Sequence, residues 1–116
     1  MPEPTRGQIR AQKAFECVTQ IKNDNDNKLE AEYKRFSKRF PSLISGCGLI
    51  QAVAFAKVKA PKRFLAHLAD VMGQGNEEIL ADHARNNPVN EYQHLTREAL
   101  TASSWIKRYA EAILKD

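Results

Sequence analysis

Apolar residues recur at helical spacing along almost the whole chain. Between Thr5 and Lys22 they return every three or four positions, which places them on one stripe of an α-helix. That stripe consists of Ala11, Ala14, Phe15, Val18 and Ile21. Thr5 followed by Gln8 resembles a capping box and predicts the start of this helix. The Asn/Asp-rich segment 23–27 predicts a turn after it, because these side chains compete for backbone hydrogen bonds.

A second helix is predicted over residues 28–40, with an aromatic stripe on one face and cations on the others. The stripe residues are Leu29, Tyr33, Phe36 and Phe40. The cations are Lys28, Lys34, Arg35, Lys38 and Arg39. Like charges four residues apart weaken a helix slightly, so their accumulation favours an anionic partner.

Pro41 predicts the start of a third helix, because proline fits the first turn. From there to Val58 apolar residues point in nearly every direction around the axis, which predicts a buried central helix. Gly46 and Gly48 would bend this helix or admit a close neighbour. Gln51 would need a polar partner in such a buried position.

Proline, glycine and asparagine residues mark the predicted helix ends in the remainder of the chain. Pro61 predicts a fourth helix that ends near Gly73 or Gly75. A short acidic helix is predicted over residues 76–83, followed by a loop at residues 85–88.

A long final helix is predicted over residues 95–114, about 30 Å in length at about 1.5 Å per residue. No segment shows the alternation of a β-strand. A chain of 116 residues fits one domain, and its 42% hydrophobic content excludes a disordered chain. We therefore expect residues 1–116 to form a single all-α domain. It would be a compact bundle of five to six helices with a buried central helix and a long C-terminal helix.

Cysteine usage and hydropathy indicate the compartment. The longest charge-free run, residues 40–56, is shorter than the span of about 20 apolar residues that a membrane helix needs. The first residues lack the apolar region of a signal peptide. We expect a cytoplasmic protein with no membrane partner. Cys17 and Cys47 should be reduced and mostly buried, and Cys47 should be inert in its apolar surroundings.

Charge is distributed unevenly around a formal net value of +4. Residues 28–63 hold nine Lys or Arg against two Glu, whereas residues 64–98 hold two Arg against six carboxylates. The first segment can attract phosphates and the second repels them.

Catalytic and metal-binding patterns are absent from the sequence. No pair among His67, His83 and His94 has the i, i+4 spacing that places two imidazoles on one helical face for zinc, and the two cysteines lie 30 positions apart. We predict no catalytic residue, no metal site, no cofactor and no small-molecule substrate.

Two stretches of sequence resemble one protein family. The first runs from Tyr33 through the aromatic and basic helix to Pro41-Ser42-Leu43-Ile44 and on through Gly48-Leu49-Ile50-Gln51 to Phe55. The second contains Glu91-Tyr92, Leu95-Thr96-Arg97-Glu98-Ala99-Leu100 and Trp105-Ile106-Lys107-Arg108-Tyr109-Ala110-Glu111-Ala112. Together they resemble the small-subunit family of type III-B CRISPR (Cmr) effector complexes. The resemblance covers residues 10–58 and 89–115, and residues 59–88 match it poorly.

The resemblance implies a non-catalytic helical subunit of an RNA-guided antiviral complex that targets RNA. Its partners would be the backbone subunit, the large subunit, further copies of itself, and the guide and target RNA. Phosphate contacts position a duplex without reading its sequence, as a guide-based system requires. The residues predicted to make them are Lys34, Arg35, Lys38, Arg39, Lys57, Lys107 and Arg108.

Two other functions are compatible with the residues. A small helical DNA-binding regulator would explain the charge, although no segment resembles a recognition helix. A protein–protein adaptor without nucleic-acid contact would use the acidic segment, residues 64–98, as its docking face.

Overall fold

A computed structural model describes residues 3–115, which form six α-helices. The helices are α1 (Arg6–Asn23), α2 (Asn27–Cys47), α3 (Leu49–Lys59), α4 (Phe64–Met72), α5 (Glu77–Asn86) and α6 (Val89–Ile113). No strand occurs within the described residues, so the predicted all-α class and the long C-terminal helix are confirmed. No helix in this part of the chain is both long and apolar enough to cross a membrane.

Several predicted helix ends are confirmed by their capping residues. At the start of α1 the Gln8 backbone N–H donates to Thr5 Oγ1 at 3.1 Å, and the Thr5 N–H donates to Gln8 Oε1 at 2.7 Å. Asn76 caps α5 by accepting from the Ile79 N–H at 3.0 Å. Gly73 ends α4 with φ 76°, a left-handed conformation that glycine adopts without steric cost.

The prediction that Pro41 starts a new helix is wrong. α2 continues through Pro41 to Cys47, and the chain turns only at Gly48, whose φ is 85°. Phe40 and Ile44 lie on either side of Pro41 and are both buried in the core. Packing of this continuous apolar face therefore offsets the hydrogen bond that an interior proline removes, which costs about 3 kcal/mol.

The buried central helix predicted over residues 41–58 is also wrong in its placement. α3 buries one face only, and Ile50, Phe55 and Val58 are exposed. The most buried helix is α4, in which seven of nine residues are buried. It lies against α1, α3, α5 and α6. Gln51 is exposed to solvent and needs no buried partner.

The ends of the later helices also differ from prediction. α4 begins three residues after Pro61, because Arg63 adopts a left-handed conformation (φ 75°) before it. Arg85 and Asn86 belong to α5 and not to a loop, and α6 starts at Val89, six residues before the predicted start. Pro88 stands at the N-cap of α6, where a proline breaks no helical hydrogen bond.

Two further side chains predicted to be buried are exposed. Cys47 lies at the solvent-facing end of α2, whereas Cys17 is buried in the core, as predicted. Burial raises the pKa of the Cys17 thiol to about 12, with the neighbouring Asp70 carboxylate contributing.

Phe15, on the predicted inward stripe of α1, is 42% exposed.

Candidate nucleic-acid interface

An aromatic cluster holds α2 so that its cations face solvent. The Phe64 ring of α4 contacts Tyr33, Phe36 and Phe40 edge-on, with centroids 5.6, 4.9 and 5.1 Å away. The Phe55 ring of α3 stacks on Phe36 at 6.2 Å. Because these contacts fix one face of α2 inward, the intervening residues of the helix are turned outward. Four cations of α2 were predicted to contact phosphate. Of these, Arg35, Lys38 and Arg39 are exposed and Lys34 is half-buried.

Arg35 and Arg39 line one hollow between α2 and α3. Its volume is about 260 Å³, and its other walls are Glu32, Phe36, Lys59 and Pro61. The Arg39 guanidinium lies over the Phe55 ring, 5.8 Å from its centroid, within the range of a cation–π interaction. The hollow therefore combines three cations with one carboxylate, and an aromatic ring supports one of the cations.

Lys57 lies apart from this hollow. Its ammonium nitrogen is 3.3 and 3.4 Å from the two carboxylate oxygens of Glu78 on α5. Positions 57 and 59 are about 200° apart around a helix, so Lys57 faces α5 while Lys59 faces α2. The sequence analysis chose Lys57 and missed Lys59.

A signal for Lys59 was present in the sequence. Lys59 follows Phe55 by one helical turn, so the two side chains share a face of α3. The contact of the Phe55 ring with the Arg39 guanidinium was also missed. The sequence placed Lys59 and Phe55 on one face of α3, but only the structure showed that this face meets α2.

Lys107 and Arg108 belong to α6 and point in directions about 100° apart. The Arg108 guanidinium lies over the Trp105 ring at 5.6 Å. It lines a separate hollow with Thr101, Ser104 and Trp105. The predicted site residues therefore lie in four places. Arg35 and Arg39 line the hollow between α2 and α3, and Lys34 and Lys38 lie beside it on α2. Lys57 pairs with Glu78, and Lys107 and Arg108 lie on α6.

Ion pairing differs between the basic and the acidic parts of the protein. In residues 3–115 no carboxylate lies within 4 Å of the side-chain nitrogens of four α2 and α3 cations: Arg35, Lys38, Arg39 and Lys59. Four of the six carboxylates of segment 64–98 are paired within the chain: Asp70 with Lys13, Glu78 with Lys57, Asp82 with Arg85, and Glu98 with Arg6 and Arg10. The unpaired charge on α2 and α3 is therefore mostly positive.

The buried polar residues form a structural network. The Tyr33 hydroxyl lies 2.8 Å from His67 Nδ1, and Gln20 Oε1 lies 3.2 Å from His67 Nε2. The amide oxygen can only accept, so the imidazole carries its proton on Nε2 and accepts from Tyr33 at Nδ1. Burial lowers the pKa of His67 to about 4, with the positive charge of Arg63 contributing. Across residues 3–115 no group of three or more His, Cys, Asp or Glu side chains could hold a metal ion.

Fold and surface together define a small all-helical protein with a cationic face on α2 and α3. Comparison with known sequences identifies it further. The model of the family described as "CRISPR-associated protein (Cas_Cmr5)" matches residues 6–113. The chain belongs to this Cmr5 family, which confirms the resemblance to the Cmr small subunits. The match also runs through residues 59–88, which the sequence motifs did not cover.

A sequence comparison and a structure comparison with Cmr5 of Thermus thermophilus both support this assignment. The chain is 35% identical over 115 residues to the protein named "CRISPR system Cmr subunit Cmr5", covering 97% of this chain and 98% of the relative. It also superimposes with a TM-score of 0.88 on the crystal structure of a CRISPR-associated Cmr5 family protein. That superposition covers 97% of this chain and 100% of the other, again at 35% identity.

Proposed function

We propose that this protein is the small subunit of a cytoplasmic type III-B CRISPR (Cmr) effector complex and holds RNA through phosphate contacts without cutting it. The observation that carries the proposal is the hollow between α2 and α3. There Arg35, Arg39 and Lys59 converge, and no carboxylate of the described chain lies within 4 Å of their charged nitrogens. Membership of the Cmr5 family supports the place in the complex.

Chemistry at this surface suits a phosphate backbone. Guanidinium groups bind phosphate oxygens through two parallel hydrogen bonds. The Phe55 ring under Arg39 already restricts the Arg39 side chain, so less conformational entropy is lost when phosphate binds. Lys38, the residue before Arg39 on α2, adds a positive charge that can contact a neighbouring phosphate. Contacts of this kind carry no base information, which suits a subunit that follows any guide–target duplex.

Lys34, Lys107 and Arg108 would contact phosphates outside the hollow, and Lys57 would make a weaker contact. Lys57 would have to exchange Glu78 for a phosphate. Both side chains of that pair are more than half exposed, and such surface pairs contribute only about 0–1 kcal/mol. The exchange therefore costs little.

The same division of charge supports one orientation of the protein in the complex. The cationic face would lie toward the guide–target duplex. Other surfaces would contact the backbone subunit, the large subunit and further copies of this chain. In the acidic segment only Glu77 and Glu91 have no ion pair within residues 3–115, whereas Arg35, Lys38, Arg39 and Lys59 of α2 and α3 have none.

RNA binding by the purified chain across a salt series tests the proposal. Double substitution Arg35→Glu and Arg39→Glu should weaken binding of an RNA duplex at least tenfold. It should also lower the slope of log affinity against log salt by about 2, about one unit for each lost contact. The matched control is Arg6→Glu with Arg85→Glu, which makes the same charge change at two exposed residues outside α2 and α3.

Three results would contradict the proposal in different ways. Equal losses in both double variants would show a nonspecific charge effect. Preference for one duplex DNA sequence would favour the DNA-binding regulator. Absence of RNA binding both by the free chain and by a complex that co-purifies with it would favour the adaptor.

A further inference from the structure

Three aromatic rings and a guanidinium form a continuous row on the outer surface of α1 and α6. The Tyr109 ring contacts Phe15 edge-on at 5.6 Å and stacks on Trp105 at 6.1 Å, with planes 19° apart. The Arg108 guanidinium follows, 5.6 Å from the Trp105 ring. Phe15 is 42% exposed, and Trp105 and Tyr109 are half-buried. Large rings left partly in water on two helices make this row a candidate binding surface.

The end of the row at Trp105 opens into a shallow hollow. Its volume is about 270 Å³, and its walls are Thr101, Ser104, Trp105 and Arg108. This is below the range of about 300–1,000 Å³ that encloses drug-sized ligands, so a single base or sugar is a better fit. The walls offer a ring face, two hydroxyls that can donate or accept, and a cation. No carboxylate within residues 3–115 lies within 4 Å of the Arg108 guanidinium.

We propose that this hollow binds an unpaired RNA base, which stacks on Trp105 in place of the Arg108 guanidinium while Arg108 turns to contact the adjoining phosphate. Stacking between a base and an aromatic ring accepts any base, because every base has a π-face. Tyr109 stacks on the indole, and Phe15 contacts Tyr109 in turn. A duplex offers no free base face, so this site takes single-stranded RNA, whereas the α2–α3 face takes the phosphate backbone of a duplex.

A protein partner suits the same surface less well. A stable protein interface covers about 800 Å² on each side and has an apolar centre. Here the rings form a single row that is bounded by hydroxyls and a charge. The inference rests on the proposed function for the identity of the ligand as RNA, but it concerns a different surface.

Trp105 is the single tryptophan of the chain, so its fluorescence reports on this site without any substitution. Titration of the native protein with a short single-stranded RNA at low salt should quench its emission. An abasic oligonucleotide of the same length should not, because it has the phosphates without the bases. Equal quenching by both would overturn the proposal, and so would the absence of quenching by the RNA.

Variants separate this proposal from the first one. Trp105→Ala should weaken binding of the single strand about tenfold and duplex binding less than about twofold, because the main duplex contacts at Arg35 and Arg39 are kept. Arg35→Glu with Arg39→Glu should weaken duplex binding and retain the quenching of Trp105 by the single strand. Loss of single-strand quenching in this double variant would show that no separate stacking site exists. A blue shift of Trp105 emission that depends on protein concentration, without RNA, would show that a second copy covers the ring and would also overturn the proposal.

Discussion

At the scale of single residues, the clearest constraint is the buried histidine of α4. His67 is 7% exposed and lies between Tyr33 of α2 and Gln20 of α1. It therefore links three helices through hydrogen bonds while remaining uncharged. A buried imidazole that cannot take up a proton makes stability depend on pH.

We predict that the protein loses stability as the pH falls from about 6.5 to 4. In the unfolded chain His67 binds a proton at its ordinary pKa of 6.5, whereas in the folded protein its pKa is about 4. The unfolded state therefore binds more protons in this window. The loss amounts to about 3 kcal/mol between pH 7 and pH 4.

Urea unfolding at a series of pH values measures this effect. His67→Gln should flatten the dependence between pH 6.5 and 4 while lowering stability at pH 7. The control is His83→Gln, on an exposed part of α5, which should keep the slope of the native protein. A slope that survives in His67→Gln would assign the effect to other groups.

At the scale of elements, the start of α3 depends on a residue far away in the chain. α3 has no side-chain cap of its own, because Gly48 occupies its N-cap. Instead the Ile50 backbone N–H donates to the Tyr92 hydroxyl of α6 at 3.1 Å. Tyr92 thus caps α3 from another helix and fixes the point at which the chain leaves α2.

We predict that Tyr92→Phe lowers the free energy of unfolding by about 0.5–1.5 kcal/mol, the usual contribution of one hydrogen bond. The aromatic ring is kept, so the loss comes from the hydroxyl. Tyr109→Phe is the matched control, because no described hydrogen bond involves the Tyr109 hydroxyl. Denaturant unfolding with amide hydrogen exchange at Ile50 provides the measurement. Equal stabilities for the two variants would show that the hydroxyl does not cap α3.

At the scale of the whole molecule, three helices are joined at one end by a single carboxylate. Glu30, near the start of α2, is 5% exposed. Its Oε1 accepts from the Lys115 backbone N–H at 2.7 Å and from the Lys22 ammonium at 3.3 Å. The end of α1 and the chain after α6 are thereby attached to α2. The Lys115 N–H is the main cause that lowers the pKa of Glu30.

We predict that Glu30→Gln lowers the free energy of unfolding by about 1–3 kcal/mol at neutral pH, because charged acceptors make the stronger hydrogen bonds. The folded pKa of Glu30 is below its usual 4.5, so this contribution is present above that pH and is lost as the pH falls below it. Glu111→Gln, on the exposed face of α6, serves as the control. Thermal melts at neutral and acidic pH test the prediction: the difference between Glu30→Gln and the native protein should shrink in acid. A difference that is the same at both pH values would contradict it.

The sequence by itself determined the helical class, the aromatic and basic character of α2 and the family. Each of these depends on local pattern: helical spacing places Tyr33, Phe36 and Phe40 on one face, and cap residues such as Thr5 and Asn76 act on their own turn of helix. The Cmr5 family was identifiable because its motifs are ordered along the chain.

Tertiary structure alone decided where helices are interrupted and which cations meet. Pro41 lies inside a helix because packing on both sides of it outweighs its local cost, and the apolar segment after it is divided by the geometry at Gly48. Lys59 joins Arg35 and Arg39 while Lys57 pairs with Glu78, because α3 presents opposite faces to α2 and α5. Charge and apolar content are properties of residues, but convergence on one hollow depends on how separate helices are rotated and packed against each other.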